Sequence, residues 1–171
     1  MLTLEPFTGS IKAFIELLAA HGVTQRVDLR TAPRSRHKPQ FNVQTWPQRV
    51  AAVNIGFAHA PGLRSFRHAT PGSPNGGWRN LSFRSYADCM QTTDFTQRLV
   101  SLIGLAQRDR VALMGPEALP WRRHRSLIAD ALAVRGVASC DIVSPKRLHV
   151  HTLTPFARVS GREISALRVD S

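Results

Sequence analysis

The chain has 171 residues, of which 23 are Lys or Arg and 11 are Asp or Glu, so its net charge is +12. This length suits one domain with a sizeable core, and the positive charge predicts a surface that attracts phosphate-bearing ligands or nucleic acid. Glu5 and Pro6 stand where a signal peptide needs an apolar run, and no later stretch is long enough for a membrane span, so we expect a cytoplasmic protein without a membrane partner.

The first third of the chain is predicted to alternate between helices and strands. An apolar stripe preceded by the capping residue Ser10 predicts a helix that begins at Ile11. "QRVDLR" alternates apolar and charged residues as a strand does, and "IGFAHA" predicts a second strand that ends near His59. Between these strands we expect a loop over residues 31–42 and a short helix over residues 43–54.

The rest of the chain continues the alternation after a long irregular stretch, "PGLRSFRHATPGSPNGGWRN", which is typical of a functional loop. "SFRSYADCMQ" and "DFTQRLVSLIGLAQRD" predict helices, "RVALMG" a buried strand, "PWRRHRSLIADALAVRG" a helix that Gly136 ends, and "VASCDIVS" the last core strand. We expect one α/β domain over residues 1–156 and a weakly patterned, easily frayed tail over residues 157–171. The fold class predicted is a three-layer α/β/α domain whose mostly parallel sheet is flanked by helices.

Polar residues follow three of the predicted strands. Asp28 and Arg30 end one strand, His59 ends another, and Gly115 and Glu117 follow a third. In an open parallel sheet the ligand crevice lies at the carboxyl ends of the strands. We therefore expect these residues to line one ligand-binding edge.

Basic residues begin the helix that follows the third of these strands. Arg122 and Arg125 gain nothing from the dipole at a helix amino end, which favours anions, so they indicate either a bound anion or neutralisation by Glu117. His124 is a candidate general acid or base, or it packs on Trp121 and orients the loop. Glu117 is a candidate general base, or it pairs with an arginine. These alternatives remain open in the sequence.

The long loop supplies a second group of candidates in "NGGWRN". Asn75, Trp78 and Arg79 combine an amide, an aromatic face and a guanidinium, which suit stacking on a base and holding its phosphate. A loop tryptophan can instead anchor its loop onto the core. Both interpretations fit the sequence.

Metal and cofactor motifs are weak or absent. His149 and His151 would share one face of a strand, but no third ligand has suitable spacing, so we expect no metal. Cys89 and Cys140 lie far apart and are expected to be free thiols. Without a glycine-rich phosphate loop or a dinucleotide fingerprint, we expect no cofactor, and nucleoside triphosphate hydrolysis is disfavoured.

Four stretches, "VDLRTAPRSR", "PQFN", "NGGWRNLSFRSYADCMQT" and "VALMGPEALPWRRHRSLIADAL", resemble the family called domain of unknown function 488. The similarity extends from about Leu4 to Val159. The resemblance implies a compact three-layer α/β fold with a polar pocket and no settled activity.

Two positions depart from the pattern of that family. In many relatives a cysteine stands at the position of Gly115 and a second at the position of Arg123, while the neighbouring motif residues are kept here: Glu117, His124, Arg125 and Ser126. A thiolate at a strand-to-helix turn is favoured by the helix amino end, so thiol chemistry is a natural expectation for such relatives. This chain has no thiol at those positions.

The lost thiols favour a binding protein for a phosphate-bearing small molecule or nucleic acid, with its chemistry reduced or absent. The alternative is a hydrolase that acts on a nucleotide or nucleic acid, with Glu117 as base and His124 as acid. Whether the protein is an enzyme, and its oligomeric state, are left open by the sequence.

Overall fold

The computed structural model describes residues 1–4, 7, 9–30, 53–63, 70–115 and 122–166, and only the backbone of residues 122–125. Glu117, Trp121 and the loop predicted over residues 31–42 lie outside these residues. The helix predicted over residues 43–54 lies outside them too, except for its last two positions, which form a turn.

Six strands form one sheet in the order β3-β2-β4-β1-β5-β6. Their bounds are β1 Leu2–Leu4, β2 Gln25–Asp28, β3 Gly56–His59, β4 Val111–Met114, β5 Cys140–Ser144 and β6 Arg147–Val150. The first five strands are parallel and β6 pairs with β5 in the antiparallel sense. The predicted mostly parallel sheet is confirmed, although β6 follows β5, which was expected to be the last core strand.

Four helices of the described segments flank this sheet: α1 Ile11–Ala20, α2 Leu81–Met90, α3 Thr93–Ala106 and α4 Arg122–Ala133. Ser10 caps α1 as predicted, because its hydroxyl accepts the N–H of Ala13 at 3.2 Å. Gly136, with a positive φ of 75°, lies in the turn after α4. Among the described residues, no helix combines the length and the apolar character that crossing a membrane requires.

The central strands β1, β2 and β4 bury both of their faces, which makes the domain three-layered. On β4, Val111 and Leu113 join the core beneath α2, α3 and α4, whereas Ala112 and Met114 join the core beneath α1. Because side chains alternate along a strand, each buried strand contributes to both cores. The predicted single-domain α/β architecture is confirmed.

A two-stranded hairpin occupies much of the segment expected to fray. Strand β7 (Arg158–Ser160) pairs with β8 (Glu163–Ser165), and both Ile164 and Ala166 are buried in the core of α2 and α4. The backbone of Ala166 also exchanges hydrogen bonds with the Asn75 side chain and the N–H of Gly77. Residues 158–166 therefore differ from the frayed tail expected, because tertiary contacts rather than a local sequence pattern hold them.

Candidate functional site

The carboxyl edge of the sheet brings together residues from three strands. Asp28, the last residue of β2, lies in register with His59 on β3 and with Met114 on β4. The chain leaves β4 at Gly115, where a Cβ atom would meet no atom of the described residues within 4 Å. The edge therefore carries Asp28, Arg30 and His59 beside the end of β4 at Gly115.

A buried carboxylate organises this edge. Asp28 is 0% exposed, and its Oδ2 accepts a hydrogen bond from Nη2 of Arg30 at 2.7 Å and one from Nη2 of Arg26 at 3.0 Å. Its Oδ1 accepts the Nε–H and the backbone N–H of Arg30 at 2.9 and 3.0 Å. Charge-assisted bonds of this kind are short and directional. Asp28 therefore fixes two arginines, and both of its oxygens are already engaged.

Arg26 is a buried residue of this edge that was not among the candidates predicted from the sequence. It is 0% exposed, its Nη2 lies 2.6 Å from Sδ of Met114, and its guanidinium lies 5.4 Å from the ring centroid of Phe57. The alternation in β2 is typical of a strand with one solvent face, but the side chains of Arg26 and Asp28 on that face are completely buried. A sheet flanked by helices on both faces was predicted to bury both faces of β2. On such a strand, the opposite charges of Arg26 and Asp28, two residues apart, were the signal that could have identified a buried ion pair.

His59 also supports the edge. Its Nε2 lies 2.6 Å from the carbonyl oxygen of Arg30, so the imidazole joins the end of β3 to the backbone that follows β2. The side chain remains exposed. His59 is therefore within reach of a ligand at the edge while one ring nitrogen is held by the protein.

Helix α4 begins at this same edge. Strands β4 and β5 are both parallel to β1, so the connection between them must return the chain from the carboxyl edge to the amino edge. Helix α4 makes that return, and its first turn contains Arg122, His124 and Arg125. The topology therefore places the amino end of α4 at the carboxyl edge of the sheet, on the face opposite α1.

The long-loop candidates lie on the opposite side of the sheet. Trp78 is 6% exposed, and its ring centroid lies 4.7 Å from that of Phe156 and 5.3 Å from that of Phe83. It belongs to the core beneath α2, α3 and α4, whereas Asp28 lies on the α1 face. Arg79 is exposed. This arrangement favours the anchoring role of Trp78 and does not bring it to Asp28.

Asn75 is buried and holds the loop through Asp88 of α2. The Asp88 carboxylate accepts hydrogen bonds from Nδ2 of Asn75 at 2.7 Å, from the N–H of Thr70 at 2.9 Å, and from the hydroxyl of Ser73. Burial is the largest single influence and raises the pKa of Asp88, but the hydrogen bonds from Ser73, Asn75 and Thr70 together lower it below 3.8. The loop therefore depends on the ionised carboxylate.

Replacing Asp88 with asparagine is expected to lower the free energy of unfolding at neutral pH by about 1 kcal/mol, because the amide cannot accept all of these bonds as strongly. The folded-state pKa lies below the unfolded value of 3.8, so the stabilisation is present above that value and is lost as the pH falls through the folded pKa. Urea titrations at a series of pH values should show the two proteins converging under acidic conditions. Asp109→Asn is the matched control, since its carboxylate accepts the Thr24 hydroxyl at 3.1 Å near the surface. A difference for Asp88→Asn that does not change with pH would contradict the role of its charge.

The two histidines considered for zinc do not converge. His149 is exposed on β6, whereas Nε2 of His151 lies 2.7 Å from Oδ1 of Asp130. Within the part of the chain that the structure describes, no three His, Cys, Asp or Glu residues are grouped closely enough to hold a metal ion.

Comparison with known proteins identifies a family, but no individual curated protein or solved structure. No curated protein and no solved structure matches the chain. The family model described as "Domain of unknown function DUF488" matches residues 10–132, which is more than two thirds of the chain and extends from the start of α1 almost to the end of α4. The chain therefore belongs to the DUF488 family.

Proposed function

We propose that this protein binds a phosphate-bearing ligand at the carboxyl edge of β2, β3 and β4. The observation that carries the proposal is the meeting of Asp28, Arg30 and His59 at the edge toward which α4 directs its amino end. A helix amino end attracts anions through its N–H groups and its dipole. Arginine side chains in the first turn suit a phosphate because a guanidinium binds it through two parallel hydrogen bonds.

The framework of the edge is suited to holding such a ligand in one position. Asp28 and Arg30 form a buried, multiply bonded pair, so the backbone around them keeps its geometry when a ligand binds. Among the residues that the structure describes, none has an atom within 4 Å of a Cβ atom placed at Gly115, which supports room for a ligand at the end of β4. The net charge of +12 adds a long-range attraction for polyanions. The resemblance to the family also favours binding over thiol chemistry, because Gly115 and Arg123 stand where many relatives carry cysteines.

Replacing Arg125 with alanine is expected to weaken binding of a single-stranded oligonucleotide by roughly tenfold, through loss of one charge-assisted phosphate contact. The slope of log affinity against log salt concentration should become shallower by about 0.7, as expected for one contact fewer on a single strand. Fluorescence anisotropy across a salt series measures both quantities. Arg108→Ala is the matched control: Arg108 is exposed three residues before β4, at the opposite edge of the sheet. Equal losses for the two variants would indicate a diffuse charge effect and contradict the site.

The same assay distinguishes the sources of phosphate. Inorganic phosphate, a mononucleotide and an oligonucleotide are titrated in parallel, and a mononucleotide that binds as tightly as the oligonucleotide indicates a small-molecule site. Affinity that rises with oligonucleotide length indicates nucleic acid. If none of the three probes binds at low salt, the proposed function is wrong.

A further inference from the structure

A small polar cavity lies between α4 and the strands β1 and β5, on the face of the sheet opposite α1. Its volume is about 20 Å³, and the polar side chains that border it are those of Thr3, Ser126, Ser139, Asp141 and His151. A cavity needs roughly 10 to 15 Å³ of such volume to hold one water molecule. The space therefore fits one molecule of that size, and its lining offers hydrogen bonds rather than apolar contacts.

The hydroxyl of Ser139 is the group that most needs a partner in this cavity. Ser139 is 3% exposed, and its Oγ makes no hydrogen bond to the described protein groups. Leaving a buried hydroxyl without a hydrogen bond is costly, so native proteins satisfy nearly all such groups with protein atoms or ordered water. The residue stands immediately before β5 and borders the cavity directly.

The other polar groups around the cavity are already held by the protein. The Thr3 hydroxyl donates to the Asp141 carboxylate, and Nε2 of His151 contacts Oδ1 of Asp130 at 2.7 Å. A carboxylate oxygen accepts more than one hydrogen bond and a histidine has two ring nitrogens, so these groups retain capacity for a further small ligand. A buried water typically makes about three hydrogen bonds.

We propose that this cavity binds one ordered water molecule, which hydrogen-bonds Ser139 and joins it to polar groups of α4, β1 and β5. The water completes the polar contacts beneath Ser126, which directly follows the Arg125 of the candidate site on α4. The water thereby stabilises the packing of the first turns of α4 against the sheet. This inference does not depend on which ligand binds at the carboxyl edge.

The sign of one stability change tests this site. With water present, Ser139→Ala removes a satisfied hydroxyl, and the folding equilibrium constant is expected to fall about fivefold, the value of one ordinary hydrogen bond. In a dry cavity the same change removes a hydroxyl that has no partner, so the constant would rise. A rise, or a change of less than about twofold, overturns the proposal. The matched control is Ser101→Ala on α3, where the exposed hydroxyl donates to the Gln97 carbonyl at 3.1 Å and a change within about twofold is expected.

A high-resolution crystal structure of the full chain gives a second, direct readout. We expect a density peak in the cavity within about 3.2 Å of Ser139 Oγ and of at least one further polar group of the lining. The peak should persist in crystals grown from a different buffer, which distinguishes water from an additive. Clear density for Ser139 with an empty cavity beside it would overturn the proposal even if the variant were destabilised.

Discussion

Replacing Asp28 with alanine is expected to destabilise the protein by about 3 to 5 kcal/mol, one of the largest losses that a single substitution can cause here. The substitution leaves two guanidinium groups, those of Arg26 and Arg30, in a region where both side chains are almost completely inaccessible to water. Removing one partner from a buried ion pair costs more than the pair contributes, because each remaining charge stays buried and loses the counter-charge of Asp28. Chemical denaturation followed by circular dichroism measures the change.

Two further variants separate the charge of Asp28 from its shape. Asp28→Asn keeps the volume and one acceptor oxygen but removes the negative charge, so an intermediate loss is expected. Asp94→Ala is the matched control, since Asp94 and Arg98 form an exposed pair at 2.9 Å on α3. Such exposed pairs contribute at most about 1 kcal/mol. If Asp28→Ala costs no more than Asp94→Ala, the charge at this edge is not buried as described.

The location of the candidate site could be predicted because it depends on rules of topology rather than on side-chain detail. The alternation in "QRVDLR" and the apolar run in "RVALMG" identified β2 and β4, and parallel strands place their carboxyl ends at one edge. Asp28, Arg30 and His59 were therefore assigned to one edge from the sequence. The contacts among these residues could not be predicted, because hydrogen-bond geometry depends on how the side chains of β2 pack against those of the neighbouring strands.

Features that depend on tertiary context were missed. Strand β1 has only three residues, too few for a periodic pattern, yet it lies between β4 and β5 at the centre of the sheet. Arg26 was not predicted as a buried residue, because charged residues are rarely fully buried. The β7–β8 hairpin is held by contacts to Asn75 and Gly77, which are far from it in sequence. Neither β1 nor the β7–β8 hairpin has a local signal.

Asp130 is the second residue whose loss is expected to have a large effect. It is 0% exposed within α4, where its Oδ1 lies 2.7 Å from Nε2 of His151 and accepts the backbone N–H of Thr154 at 3.1 Å. Asp130→Ala would leave both of these groups without their acceptor in a poorly solvated region. We expect the free energy of unfolding to fall by about 3 kcal/mol.

A double-mutant cycle shows whether the loss arises from the contact with His151. Asp130→Ala, His151→Ala and the double variant are compared, and the pair should show a coupling energy of about 1 to 2 kcal/mol, as expected for residues in direct contact. Asp109→Ala is the matched single control, because its carboxylate accepts only a surface contact from Thr24 in the described structure. Additive single losses would contradict the direct contact.

Hydrogen exchange shows which segments of the chain Asp130→Ala destabilises. The family model ends at residue 132, so Asp130 belongs to the matched part of the chain while His151 and Thr154 lie beyond it. Asp130 therefore joins α4 to the segment that leads into the β7–β8 hairpin. Amides of residues 151–166 should exchange faster in the variant than in the wild type, with smaller changes in α1 on the opposite face of the sheet. Uniform acceleration across both faces would mean that Asp130 stabilises the domain as a whole rather than anchoring this segment to α4.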